Sequence, residues 1–328
     1  MPPKVYFAKI NELEKISGLI PELPGKLGVK VHFGEENNVT YIPAGTIKPL
    51  IEKTKNPTLI ETTVLYKSQR SRAGTHKALA IKHGFDFAPI DILDGEEGDD
   101  IIEKEIESEH FKTCFLGKGI DKYDSLLVIS HFKGHTEAGF GGAIKNLGMG
   151  LAGRRGKLAQ HASIQHQANP DKCISCGLCV SDCPVSAISF DENQKAKIDE
   201  NICISCSKCI SVCPSAAIGI PWESTNKKIF QERMTDYAKA AYSGKKGFFV
   251  NFLVSITALC DCQRKKMEII TPDIGILAGE DPVAVDSACY DLLTEALPEF
   301  KNTHGGEEQL IYGEKIGLGQ RQYELVKI

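Results

Sequence analysis

Two runs of the chain decide how its middle part folds: CISCGLCVSDCP at residues 173–184 and CISCSKCISVCP at residues 203–214. Both have the spacing C-x2-C-x2-C-x3-C-P, and they repeat at an offset of 30 residues. Three cysteines at this spacing wrap a short loop around one corner of an iron–sulfur cubane, and the fourth ligand comes from the other run. The pattern therefore predicts two [4Fe–4S] clusters.

The exchange of the fourth ligand assigns each cysteine to one cluster. We expect one cluster on Cys173, Cys176, Cys179 and Cys213, and the other on Cys203, Cys206, Cys209 and Cys183. The alternative is a zinc site. Structural zinc favours four ligands in two separated pairs, which two unbroken triplets do not provide. The segment resembles the bacterial two-cluster ferredoxins, and the resemblance implies low-potential transfer of one electron at a time.

Composition excludes several other classes of protein. The net charge of −4 and the absence of a long basic run argue against a nucleic-acid surface. The longest apolar stretch, residues 247–260, is shorter than the ~20 residues that span a bilayer. The first residues lack the pattern of a secretory signal, so we expect a cytoplasmic protein. Eight of the 12 cysteines lie in the repeat, which favours metal ligation in a reducing compartment over a disulfide scaffold.

The flanks of the cysteine repeat predict an α/β fold. Strands are expected at 29–33, 58–65, 126–130, 248–259 and 274–278, and helices at 46–54, 73–83, 230–243 and 282–295, the last with Asp281 as its N-cap. Strands that alternate with helices indicate mostly parallel sheets. We therefore predict a two-lobed α/β domain formed by residues 1–167 and 221–328, with an α+β ferredoxin-like insert at 168–220.

A second group of candidate ligands lies outside the insert. His131 and His135 follow one predicted strand, and Cys260 and Cys262 follow another. Because ligands collect at the carboxyl ends of strands, these side chains would converge if the two strands were neighbours. Two imidazoles and two thiolates suit an additional Zn²⁺ or Fe²⁺, or a further cluster. The alternative is that the histidines cap loops and the cysteines are small buried hydrophobic residues.

A glycine-rich loop follows at residues 139–150, and it contains Lys145. Glycines let backbone N–H groups approach an anion, and Arg154, Arg155 and Lys157 add positive charge. The loop has neither the Walker A pattern nor a dinucleotide fingerprint. We favour an anion-binding or active-site loop over a glycine-rich packing loop.

Several runs resemble the family called domain of unknown function 362. They are VKVHFGEENNVTYI, ETTVLYKSQRSRAG, HFKGHTEAGFGGAIKNLGMG with the RRGK that follows, and CDC with PDIGILAGEDPVAVD. The resemblance covers nearly all of the chain outside the insert. It implies an α/β fold that carries a two-cluster segment at this position, and it assigns no activity.

A more distant resemblance concerns Gly-His135 and Lys145, with Gly-Phe-Gly-Gly between them. This segment is similar to one in the nickel-pincer lactate racemases. There the matching histidine is an acid/base group and the matching lysine holds the cofactor. The resemblance implies that His135 transfers protons and that Lys145 anchors a cofactor or substrate in a cleft.

Three functions follow from these observations. The first is an iron–sulfur redox protein, whose clusters exchange electrons with a site in the α/β domain or with a partner enzyme. The second is a non-redox isomerase or lyase for a small anionic substrate, with His135 as base, Lys145 and the Arg154–Arg155 pair as anion binders, and structural clusters. The third is a protein that binds a metal or cluster in transit at Cys260 and Cys262. We favour the first, because electron storage alone requires far fewer residues than this chain has.

Overall fold

A computed structural model describes residues 1–162, 166–199, 202–203, 207–219 and 226–328. The described strands are, in chain order, β1 (Lys4–Ala8), β2 (Leu27–Lys30), β3 (Thr58–Glu61), β4 (Ile90–Ile92), β5 (Ile101–Glu105), β6 (Thr113–Gly117), β7 (Ser125–His131), β8 (Lys133–His135), β9 (Gly139–Gly141), β10 (Gln167–Ala168), β11 (Ile188–Phe190), β12 (Ala196–Ile198), β13 (Ile218–Gly219), β14 (Lys246–Leu253), β15 (Gly275–Gly279) and β16 (Glu324–Lys327).

The described α-helices are α1 (Leu13–Leu19), α2 (Ala44–Ile51), α3 (Ala73–Lys82), α4 (Ala143–Gly148), α5 (Arg154–His161), α6 (Leu178–Ser181), α7 (Lys208–Val212), α8 (Lys227–Tyr242), α9 (Pro282–Ala296), α10 (Glu299–Thr303) and α11 (Glu307–Lys315). Short 3₁₀ helices cover Ile10–Glu12, Gln69–Ser71 and Lys118–Lys122. None of the helices in the described part of the chain combines the length and the apolar character that a membrane crossing needs.

One eight-stranded sheet organises the protein, in the order β16-β1-β15-β14-β7-β2-β3-β4. Its neighbouring strands are parallel except where β15 pairs with β1 and β14. A parallel partner needs a long crossover, usually a helix, and the connection at residues 254–274 contains no described helix. The strand β15 therefore returns antiparallel to β14. The predicted mixed α/β fold with a mostly parallel sheet is confirmed.

The two lobes predicted from the sequence share this single sheet. Strands from both flanks of the cysteine repeat are mixed in it, and β7 pairs directly with β14 from Lys246↔Ser125 to Phe252↔His131. Because the sheet is central, it is buried on both faces. In β7, Leu126 and Val128 contact the core that contains α4, α8 and α9, whereas Leu127 and Ile129 contact the opposite core.

The segment with the cysteine repeat has its own small strands and core. The strands β10 and β13 pair antiparallel, as do β11 and β12. A separate cluster of buried residues consists of Cys179, Ile188, Ala196, Cys209 and Ile218. The boundaries at 168 and 220 stay a prediction.

Candidate functional site

A cleft of about 640 Å³ opens at the carboxyl ends of β2, β3 and β7. This is the edge at which ligands of open parallel sheets collect. His131, His135, Lys145, Cys260 and Cys262, which were predicted separately from the sequence, all line this cleft. The expectation that their two strands are neighbours is confirmed by the pairing of β7 with β14. The strand at 248–259, however, ends at Leu253, and the two cysteines lie on a loop that folds back over the cleft.

His135 presents one fixed ring nitrogen to the cleft. Its Nδ1 accepts hydrogen bonds from the backbone N–H groups of Glu137 (3.1 Å) and Ala138 (3.0 Å). Because Nδ1 accepts twice, the proton of the neutral ring lies on Nε2. Burial, together with the charge of Lys145, holds the pKa of His135 well below its usual range. The ring is therefore a neutral hydrogen-bond donor.

Lys145 lies on α4, which begins after Gly142. Any larger residue at position 142 would force the neighbouring atoms to move. A Cβ on Gly142 would stand 2.3 Å from Oδ1 of Asp286. That carboxylate accepts from the N–H groups of Ala143 (2.7 Å) and Ile144 (2.9 Å), which are 143 and 142 residues away in the sequence, and so caps the helix. Within the described residues, no side chain forms a hydrogen bond or ion pair with the Lys145 ammonium. A half-buried cation is thus available to an anion in the cleft.

Cys260 and Cys262 interact with each other rather than acting as isolated small hydrophobic residues. Their thiol groups influence each other's ionisation, and the N–H of Gln263 donates to the carbonyl oxygen of Cys260 at 3.1 Å, which closes a turn. The neighbouring Cys260 lowers the pKa of Cys262, against the effect of burial, and His32 and Lys145 lower it further. The same pair interaction and burial raise the pKa of Cys260.

The predicted set of two histidines and two cysteines is not assembled as a metal site. Both ring nitrogens of His131 bind protein groups: Nδ1 contacts the Asp261 carboxylate (2.9 Å) and Nε2 contacts the carbonyl oxygen of Val254 (2.9 Å). Nδ1 of His135 is occupied by backbone N–H groups. Across the residues that the structure describes, no three His, Cys, Asp or Glu side chains form a group that suits one metal ion.

Asp261 lies between the two cysteines and fixes their loop. His131 and Lys133 lower the pKa of its carboxyl group, although burial acts in the opposite direction. The Lys133 ammonium lies 3.3 Å from this carboxylate and donates to the carbonyl oxygen of His131 at 2.8 Å. Asp261 is therefore an internal counterion beneath the cleft.

Of the predicted anion-binding residues, only some reach the cleft. Arg155 lies over the ring of Phe115, 3.6 Å from its centroid, and Arg154 donates to the carbonyl oxygen of Glu97. Neither lines the cleft. Lys157 does, but its ammonium already donates to Thr62 Oγ1 (2.5 Å), Thr63 O (2.6 Å) and Ala152 O (2.8 Å). Burial lowers its pKa to about 8. The side chains of the Arg154–Arg155 pair face other parts of the protein, because helix α5 turns them away.

In the described part of the cysteine repeat, cysteines of the two runs lie near each other. Cys183 of the first run lines a small cavity together with Cys203 and Cys209 of the second. Cys213 of the second run acts electrostatically on Cys179, as do Cys173 and Cys176. Backbone N–H groups point at three of the sulfurs: Ala187 at Cys183 (3.2 Å), Ala217 at Cys213 (3.2 Å) and Ala196 at Cys173 (3.4 Å). Cys206 lies outside the described residues.

The comparison with protein families decides the identity. The model of the family described as domain of unknown function, DUF362, matches residues 27–291. The chain belongs to the DUF362 family. No curated protein matches it.

Two solved structures are similar to this DUF362 chain at low identity. One is the lactate racemase apoprotein from Thermoanaerobacterium thermosaccharolyticum, with 13% identity, a TM-score of 0.44, and coverage of 90% of this chain and 57% of that one. The other is a structural-genomics protein from Thermotoga maritima, with 12% identity, a TM-score of 0.40, and coverage of 87% and 58%. The DUF362 chain thus spans less than two thirds of the length of either.

The sequence reasoning missed a buried charged network on one wall of the cleft. Glu61 at the end of β3 pairs with Lys30 (2.9 Å) and Arg70 (2.7 Å), and Arg70 also reaches Glu35 (3.2 Å). All four side chains are almost fully buried. Arg70 and Lys30 lower the pKa of Glu61 strongly, against the effect of burial. A lysine inside the apolar strand VKVHF was the available signal, since a buried charge needs a partner.

Helix α8 of the DUF362 chain connects the cleft to the cysteine segment. Phe230 lines the cleft and stacks on His161, with 4.6 Å between ring centroids. Arg233, one turn further along, acts electrostatically on Cys203 and on His166, a residue of the small cavity. One helical turn is ~5 Å, so α8 carries a residue of the cleft wall and a residue that acts on Cys203 within one turn of each other.

Proposed function

We propose that this protein is an iron–sulfur redox protein that transfers single low-potential electrons through two [4Fe–4S] clusters. The acceptor or donor is a small anionic substrate in the cleft or a partner enzyme. The observation that carries the proposal is the grouping of Cys183, from the first run, with Cys203 and Cys209 of the second run, which follows two strands later in the chain. Such an exchange of one cysteine is what the two-cluster spacing requires.

The cysteine segment fits the clusters in its chemistry as well as in its spacing. Backbone N–H groups directed at Cys173, Cys183 and Cys213 stabilise negative charge on sulfur, as hydrogen bonds to cluster ligands do. The cysteines of a cubane bind different irons, so they stand further apart than the ligands of a single ion. When bound, the clusters supply single electrons at low potential.

The cleft supports a small anion as the second partner. Lys145 offers an unpaired ammonium, and the neutral His135 offers its Nε2–H. Phe230 and Met149 supply apolar walls that exclude water. An anion held between Lys145 and His135 would lie against the Phe230 wall, on the side from which α8 leads to Cys203.

The proposal is tested by counting metals in anaerobically purified protein and by reducing it. We expect about eight irons per chain, bleaching by dithionite and an electron paramagnetic resonance signal of the reduced protein. Cys213→Ala should lower the iron content, whereas Cys114→Ala, at a fully buried cysteine outside the repeat, should not. Fully loaded protein that neither accepts nor donates electrons would contradict the proposal, as would zinc at the repeat.

The geometry of His135 and Lys145 also favours a second candidate, a non-redox isomerase or lyase. A neutral histidine that offers Nε2–H to the cleft, together with an unpaired lysine, is suited to hydrogen-bonding and polarising an oxygen of a bound carboxylic substrate. In that case the clusters are structural. Turnover that is equally fast with oxidised and with reduced protein would favour this candidate over the redox function.

A further inference from the structure

Two thiols of the cleft have the geometry of a reversible disulfide. Cys260 and Cys262 are the first and third residues of a turn that the Gln263 N–H closes on the Cys260 carbonyl oxygen. A turn brings its first and fourth Cα atoms within ~7 Å, so the first and third fall inside the ~4.4–6.8 Å range of disulfide-bonded residues. Both side chains line the same cleft.

The charges around the pair favour sulfur chemistry over a bound cation. Lys145 and Arg70 both act electrostatically on these sulfurs or on the adjoining His32. The carboxylate of Asp261 is bound by His131 and Lys133 and does not add a metal ligand. Thiolates are stabilised by such positive neighbours, whereas a metal cation is repelled by them.

The two sulfurs differ in access. Cys260 is 8% exposed, whereas Cys262 is half-buried, and both face the cleft. As a residue, Cys262 is the more exposed of the two, so we assign the first attack to Cys262 and the resolving step to Cys260.

We propose that Cys260 and Cys262 form a redox-active dithiol that a small disulfide entering the cleft converts reversibly into an intramolecular disulfide. Cys262 thiolate attacks one sulfur of the small disulfide, and the first small thiol leaves. Cys260 loses its proton and attacks the Cys262 sulfur, and the second small thiol leaves. Overall the dithiol gives up two electrons and two protons: the Cys262 proton leaves when its thiolate forms, the Cys260 proton leaves before its attack, and the two departing small thiolates take up both protons and become thiols. A ring closed between residues two apart is small, and strained disulfides are readily reduced.

The inference goes beyond the proposed redox function and does not depend on it, because the electrons pass to the small disulfide.

Digestion with trypsin makes the test specific to this pair of cysteines. Cleavage after Lys246 and Arg264 releases residues 247–264, which contain both cysteines and none of the other ten. Holo-protein is equilibrated anaerobically with mixtures of reduced and oxidised glutathione, quenched in acid and alkylated. After digestion with trypsin, the mass of this peptide is measured by mass spectrometry.

We expect the peptide to change from two alkylated thiols to a disulfide as the oxidised fraction of glutathione rises. The fraction of disulfide should depend on the glutathione reduction potential as a two-electron couple does. Peptides that carry the fully buried Cys114 and Cys289 should remain thiols throughout and serve as internal controls. The inference is overturned if the peptide remains a dithiol in excess oxidised glutathione. It is also overturned if alkylation is blocked until a chelator is added, since that result assigns the pair to a metal.

Two variants assign the roles of the sulfurs. Cys260→Ser should trap a stable glutathione adduct on Cys262, because the resolving thiol is missing. Cys262→Ser should give no adduct on Cys260. Adducts of equal yield in both variants would contradict the order of attack. Both variants should keep the wild-type iron content, and a loss of iron would assign the pair to metal binding instead.

Discussion

At the scale of single residues, burial decides which ionisable groups have strongly shifted pKa values. Asp236 on α8 is fully buried and accepts hydrogen bonds from the hydroxyl groups of Ser108 (2.8 Å) and Tyr312 (3.1 Å). These two neutral donors do not compensate for the loss of water, so burial raises the pKa of Asp236 to about 7. In the unfolded chain the same carboxyl group titrates near 4. The folded protein therefore binds a proton here more tightly than the unfolded chain does.

We predict from this that Asp236→Asn changes the pH dependence of stability. A raised folded pKa contributes stability that is complete below about pH 4 and is lost as the pH rises through about 7. Asparagine keeps a polar partner for both hydroxyl groups and carries no charge. The variant should match the wild type at pH 4 and exceed it by a few kcal/mol above pH 8.

The measurement is the midpoint of thermal unfolding of both proteins between pH 4 and pH 9, under anaerobic conditions. Asp171→Asn, on an exposed loop residue, is the control and should change the midpoint little at any pH. A difference between wild type and Asp236→Asn that does not vary with pH would contradict the assigned pKa.

At the scale of elements, helix termini position the residues of the cleft. The helix α4 has only six residues, which is too short to be stable by itself, so its first turn depends on the distant Asp286. Burial raises the pKa of that carboxyl group to about 6, and at neutral pH it accepts from two backbone N–H groups. The position of Lys145 is thus set by a residue of α9.

We predict that Gly142→Ala displaces this helix. The new Cβ would stand 2.3 Å from Oδ1 of Asp286, and relieving this overlap should destabilise the protein by about 1–3 kcal/mol. Gly45→Ala in α2 is the matched control, because a Cβ there meets nothing within 4 Å. It should stabilise the protein by about 0.4–1 kcal/mol. Thermal unfolding of the two variants should shift in opposite directions, and equal shifts would contradict the close approach at Gly142.

The N-cap of α9 was predicted from the sequence and is confirmed. Asp281 accepts from the N–H groups of Val283 (2.9 Å) and Ala284 (2.9 Å), and Pro282 is the first helical residue. Asp281→Ala should cost about 1 kcal/mol of stability. Asp281→Ser keeps an oxygen that caps, so it should retain most of that stability. A serine variant as unstable as the alanine variant would indicate that the bond from Gln320 N–H to Asp281 dominates instead.

At the scale of the whole molecule, two hydrophobic cores of very different size coexist. The large sheet is covered on both faces by many buried side chains, whereas the cysteine segment has, among its described residues, a core of five buried residues, two of them cysteines. A segment of this size rarely holds its fold without metals or disulfides. Its stability should therefore depend on the proposed clusters, and that of the sheet should not.

We predict that stripping iron with a chelator unfolds the cysteine segment alone. Hydrogen–deuterium exchange of the stripped protein should rise at β11, β12 and α6. It should stay slow at β7 and β14, which serve as the internal control because both are buried within the sheet. Unchanged exchange in β11 and β12 would show that the segment folds without metal and would count against structural dependence on the clusters.

The sequence predicted the α/β class because the period of its apolar residues is a local property. Most of the predicted strands and helices occur within a few residues of their expected bounds, and the strands at β7 and β14 are neighbours as required. It missed the end of β14 at Leu253, since the apolar run continues to Cys260 although the chain has left the sheet. The candidate residues of the cleft were found because they follow strands. The hydrogen-bond partners of His131 and the directions of the Arg154 and Arg155 side chains were not predicted, because both depend on segments distant in the sequence.

The spacing of eight cysteines and the alternation of strands and helices were readable from the chain by itself, because both depend on neighbours within a few residues. Pairings over long separations required the folded molecule: Asp286 with the start of α4, Asp261 with His131, and Glu61 with Lys30 and Arg70. The free energy of a buried charge depends on which group of opposite charge folding brings beside it, and no local pattern of residues specifies that partner.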